Sequence, residues 1–133
     1  MTKDLNAVNS DANYLETLKL AVVDAIEDIK GFDITVMDVR KLTSMTSYMI
    51  VTSATSSRQA KAIADNVREK LKEKGYAIRG TEGEKEGEWV LVDLNDIVVH
   101  IMVPTTRAYY NLEQLWGEAE NRRGHIKSDS NVD

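Results

Sequence analysis

The sequence predicts an α/β domain of the α+β kind, with a mixed sheet of about five strands flanked by helices. Two patterns lead there. Stretches with apolar residues every three or four positions alternate with β-branched runs of strand length, in the order helix, two strands, helix, three strands, helix. One of those runs, EWVLVDLNDIVVHIM (88 to 102), reads as a hairpin with a wholly aliphatic face that needs a covering layer. At 133 residues, 42% of them hydrophobic, the chain suits one compact domain and is too short for two.

Residues 1 to 10 are polar and patternless and read as a flexible arm, so the domain is expected over 11 to 118. The first helix starts at the N-cap candidates Ser10 and Asp11, carries Leu15, Leu18, Val22, Ile26 and Ile29 on one face, and ends at Gly31. DITVMDV (33 to 39) and SYMIVTSA (47 to 54) are strands joined by the polar link RKLTSMT. TSSRQAKAIADNVREKLKEKG (55 to 75) is a second helix, with hydroxyl caps at its start, a stripe of Ala60, Ile63, Val67 and Leu71, and Gly75 as its stop. YAIRGT (76 to 81) is a short strand, expected parallel to the strand before the helix through a right-handed crossover. After the hairpin, Pro104 breaks the strand and TTRAYYNLEQLWGEAE forms a third helix, with Tyr109, Leu112 and Trp116 on one stripe. Residues 119 to 133 are a polar tail, expected to be disordered.

A two-residue turn at Asn95 and Asp96 pairs Leu94 with Ile97, Asp93 with Val98 and Leu91 with His100. Val90, Val92, Leu94, Ile97, Val99 and Ile101 then share the core face. The other face carries Trp89, Leu91, Asp93, Val98, His100 and Met102, with Asp93 and His100 as diagonal neighbours within reach of each other. This mixed face is apolar enough to want partial cover. Trp89 stands at its end, directly after an acidic loop holding Glu82, Glu84, Glu86 and Glu88. A large aromatic beside a charged rim is the composition of a protein-binding hot spot, although core packing explains a lone Trp equally well.

Catalytic readings find little support. No G-x-S-x-G elbow accompanies His100, no metal-ligand spacing is present, and the only other histidine is His125 in the tail. Neither a metal nor another cofactor is expected. The TSSRQ helix start, with Arg58 beside it, is able to hold an anion, but capping explains it as well. A net charge of −5 argues against broad nucleic-acid contact. The lack of cysteine suits a reducing compartment, and no segment reads as a leader or a membrane span, so a cytoplasmic location is expected.

The blocks WVLVD, NDIVVH and RAYYNLEQLW, together with DITVMDVRKLTSMTSYMIVTSATSSRQAKAIADNV in the same order, resemble the ribosomal silencing factor (RsfS or Iojap) family over about residues 15 to 116. The resemblance implies a fold related to nucleotidyltransferases without their catalytic motif, and no enzymatic activity. It implies binding to the large ribosomal subunit through ribosomal protein fourteen, at the surface where the small subunit docks. Translation would then fall under nutrient limitation, with a further role in late large-subunit biogenesis and a possible homodimer. Carried over by position, the partner-binding residues would be Trp89, Asp93, His100, Arg107, Tyr109, Tyr110 and Trp116, with Glu82 and Glu84. The rival reading is a vestigial nucleotidyltransferase-like protein that binds nucleotide or RNA.

Overall fold

The computed structural model describes the backbone of residues 2–116 and the side chains of 13–116. Its elements run α1 (Thr2–Asp28), β1 (Phe32–Asp38), β2 (Tyr48–Ser53), α2 (Ser57–Glu73), β3 (Gly80–Glu82), β4 (Trp89–Asp93), β5 (Ile97–Met102) and α3 (Pro104–Tyr110). The strands form one sheet in the order β1-β2-β5-β4-β3. Only the central β2–β5 pair is parallel; the β1–β2, β4–β5 and β3–β4 pairs are antiparallel. The strands on either side of α2 do run in the same direction, as expected from the sequence, but β5 and β4 lie between them.

Both long helices cover one face of this sheet. Leu18, Val22 and Ile26 of α1 meet Ala60, Ile63, Ala64, Val67 and Leu71 of α2 over Ile50, Val90, Val92, Ile97, Val99 and Ile101. All of these side chains are almost fully buried. Each large aliphatic among them contributes about 1.5–3 kcal/mol by leaving water. The hairpin register is the one read from the sequence, with Asp93 opposite Val98 and Leu91 opposite His100. Its turn is tight: the Asp96 N–H donates to the Leu94 carbonyl at 2.9 Å around Asn95, whose φ is 74°.

Several boundaries differ from the sequence reading. α1 begins at Thr2, so residues 2 to 10 are helical in place of an arm, and Ser10 and Asp11 lie inside the helix instead of capping it. No Gly or Pro interrupts TKDLNAVNS, so nothing in that stretch stops a helix from extending. The strand expected at 76 to 81 shrinks to Gly80–Glu82 because Tyr76 is already used at the end of α2. Its N–H donates to the Leu71 carbonyl at 2.9 Å while Gly75, at φ 93°, donates to that of Lys72 at 3.0 Å. This double closure caps α2 and packs Tyr76 on the core.

The third helix breaks at Asn111, which is left-handed (φ 47°, ψ 58°), and residues 112–116 then resume helical geometry. Asn accepts this conformation readily, and its side chain caps the new turn by accepting from the Gln114 N–H at 3.2 Å. The tail read as residues 119 to 133 lies outside the described residues.

Candidate functional site

Among the described residues no long helix lies over the second sheet face. α3 and residues 112–116 cross it instead, with Leu112 and Trp116 packed on Met37, Val39, Met49 and Val51. Strand alternation places Trp89, Leu91, Asp93, Val98, His100 and Met102 on this face. His100 is buried at 6% exposure, and Trp89 is half-buried.

The expected Asp93–His100 approach gives way to a different partner. The Trp89 indole N–H donates to His100 Nδ1 at 3.0 Å, across the 5.8 Å between their ring centres. Asp93 instead caps the hairpin turn, accepting from the Asn95 N–H at 2.8 Å, and lies 3.9 Å from Arg79. A neutral imidazole whose Nδ1 accepts must carry its proton on Nε2. That nitrogen is buried and has no partner among the described groups.

Burial holds the His100 imidazole down at about 4, below its ordinary value of 6.5. In the window between those two values the unfolded chain takes up a proton that the folded chain refuses. The stability this residue contributes is therefore complete above pH 6.5, declines as pH falls, and is gone below 4. About 1 kcal/mol will be lost between pH 7 and 5.5 in urea titrations. His100→Asn, whose amide oxygen accepts from the indole without titrating, will flatten that slope. Asp38 and Glu113 act only at lower pH, since hydrogen bonds from Arg40 and Arg107 hold them below the usual carboxylate range.

From Trp89 an aromatic run leads outward. The Tyr110 ring lies 4.8 Å from that of Trp89, and Tyr109 meets Tyr110 edge-on at 4.9 Å and 86°. Tyr109 is 81% exposed, so it leaves the expected stripe with Leu112 and Trp116 and faces solvent. Arg107 is held inside the protein by Ser53, Thr35 and Glu113. The two acidic candidates part company. Glu82 pairs opposite Leu91 and so shares the mixed face, whereas Glu84 binds Arg68 of α2 at 2.6 Å.

At the far end of the face, Met45, Met49, Val98 and Trp116 line a groove of about 260 Å³ rimmed by Arg79 and Asp93. Of these only Asp93 and Trp116 were picked out as contact candidates from the sequence. The residues under Arg107 were also missed, although Thr35 and Ser53 occupy inward strand positions where a hydroxyl needs a partner.

The start of α2 is closed by its own side chains. Ser56 accepts from the Gln59 N–H at 3.1 Å, and the Gln59 amide reaches the Ile29 carbonyl at 2.8 Å. Capping by Ser56 thus takes one of the N–H groups that an anion would use. Among the described residues no three His, Cys, Asp or Glu side chains gather as a metal set, and no helix is long and apolar enough to cross a membrane.

The sequence model of a family described as "Ribosomal silencing factor during starvation" matches residues 12–133. The chain belongs to the ribosomal silencing factor family. It is 55% identical over 102 residues to the ribosomal silencing factor RsfS of Chromobacterium violaceum, covering 77% of this chain and 83% of the relative. The corresponding Bacillus subtilis factor is 37% identical over 107 residues, covering 80% and 90%. A chloroplastic Iojap protein of Zea mays is 36% identical, over 84% of this chain and 48% of its own. A crystal structure of a Chromobacterium violaceum protein superposes with a TM-score of 0.75 at 46% identity, over 89% of this chain and 92% of that one. In this silencing-factor domain, then, the feature that stands out from a packed α+β fold is the half-covered face with its aromatic run.

Proposed function

We propose that this protein is a cytoplasmic, non-enzymatic repressor of translation that binds the large ribosomal subunit through ribosomal protein fourteen and sterically excludes the small subunit. The same binding event suits a role in late large-subunit biogenesis. The observation that carries this reading is the run from His100 through Trp89 and Tyr110 to Tyr109, which begins in the core and ends in solvent.

Aromatic side chains that are held in place internally and presented at a surface are the usual anchors of protein interfaces, since little rotamer freedom remains to be lost. Glu82 on the same face and a net charge of −5 favour a basic partner. A ribosomal protein of that character offers such a surface without direct contact to RNA. Family membership supports a ribosomal partner, and the exposed aromatic run supports attachment through this face.

Sedimentation of purified large and small subunits, with and without this protein, tests the reading. The protein is expected to travel with the large subunit and to suppress the joined particle, less so as salt rises, because charge steering is screened. Retention at the top of the gradient at both low and moderate salt would overturn it.

A further inference from the structure

Arg107 was expected from the sequence to touch the partner, but its surroundings suggest another role. Its side chain is only 12% exposed. Nη1 donates to Ser53 Oγ at 2.8 Å, Nη2 to Thr35 Oγ1 at 3.2 Å, and Nε to Glu113 Oε1 at 3.1 Å. Nη2 also pairs with Glu113 Oε2, which in turn accepts from the Thr35 hydroxyl at 3.2 Å. A guanidinium has five N–H donors, so most of its capacity is used within the molecule.

These four residues come from four separate places: β1, the end of β2, α3, and the helical turn beyond Asn111. In an unbroken helix, residues 107 and 113 would lie about 120° apart around the axis and about 9 Å along it, on different faces. The left-handed Asn111 brings them together.

Among the described residues, α3 has few other ties apart from the packing of Leu112 and Trp116 just beyond it. None of its seven residues is buried. Its start is tied by the Val103 N–H to the Glu88 carbonyl at 3.1 Å, and its end by the tilted contact of the Tyr110 ring with Trp89. The exposed tyrosines follow Arg107 by two and three residues.

We propose that Arg107 is a positioning residue, which with Glu113, Thr35 and Ser53 latches the Tyr109–Tyr110 arm against Trp89 and does not itself touch the partner. The functional half of this proposal rests on the binding reading above. The latch itself does not.

Three readouts on Arg107→Met and the isosteric Glu113→Gln test it: amide hydrogen exchange over 104–116, the assigned Trp89 indole N–H resonance, and co-sedimentation with the large subunit. Both variants are expected to speed exchange in α3 about tenfold, to shift the indole resonance, and to weaken subunit binding about tenfold. Glu113→Gln should do this with the arginine still present. If Arg107→Met loses binding while exchange and the indole resonance stay as in the wild type, and Glu113→Gln binds normally, Arg107 is a direct contact and the proposal falls. Faster exchange with undiminished binding would equally overturn the functional half. Should the wild-type protein fail to bind the large subunit, the preceding section is overturned, and the first two readouts still decide whether the latch exists.

Discussion

Replacing Trp89 with alanine will weaken binding to the large ribosomal subunit by about 3 kcal/mol, on the order of a hundredfold in affinity. The magnitude follows from the way the ring is held. Its N–H is bonded to His100 and its ring meets that of Tyr110 at a tilt, 4.8 Å between centres, so the unbound protein already presents it in one orientation. Removing it takes away the anchor and frees Tyr110, which leaves the exposed Tyr109 without a fixed neighbour. It also strips His100 Nδ1 of its donor, in a ring whose other nitrogen already has no partner among the described residues. The fold must therefore be checked by a thermal melt alongside the binding measurement. Trp89→Phe keeps an aromatic ring beside Tyr110 and loses the hydrogen bond, so it should retain more affinity than alanine. Alanine binding as tightly as the wild type, with the fold intact, would remove Trp89 from the interface.

Gly83→Ala will destabilise the protein by about 3 kcal/mol. Gly83 opens the acidic loop between β3 and β4 at φ 83°, and the turn is closed by the Gly87 N–H on the Gly83 carbonyl at 3.0 Å. A methyl group there would sit 2.0 Å from the Trp89 carbonyl oxygen, so either the loop or the first residue of β4 must move. Gly75 provides the control. Its φ is also positive, at 93°, but nothing lies within 4 Å of an added methyl. Gly75→Ala should cost only the strain of the backbone, about 1 kcal/mol. Urea unfolding of the two variants separates strain from collision, and equal losses would contradict the crowding argument.

The parts of this fold that were legible in the sequence are those set by a local rule. The periodicity of α2, the strand alternation of 89–102 and the Asn95–Asp96 turn each dictate a face or a register within a few residues, and the structure follows them. Boundaries decided by competition between neighbours were less legible. Tyr76 suits a strand by type, yet it serves the end of α2, and Asn111 sits in a helix-like pattern that its own left-handed backbone interrupts. The site divides in the same way. Trp89 and His100 share a face by strand period alone, but their hydrogen bond, in place of the expected Asp93–His100 approach, depends on side-chain orientation that spacing does not determine. Arg107, Thr35 and Ser53 are 72 and 54 positions apart in the chain. No pattern within one segment could have joined them.

The parallel pairing of β2 with β5 has a consequence for how the protein is made. Beyond β1, residues 48 to 53 find their second sheet partner in residues 97 to 102. During synthesis, the β1–β2 hairpin must therefore wait with an open edge until Met102 has emerged. Such long-range closure is slow compared with the formation of the helices and hairpins. Chains released early would expose an adhesive strand edge. The last of the five strands to be made, β5, is the one that joins the two halves of the sheet.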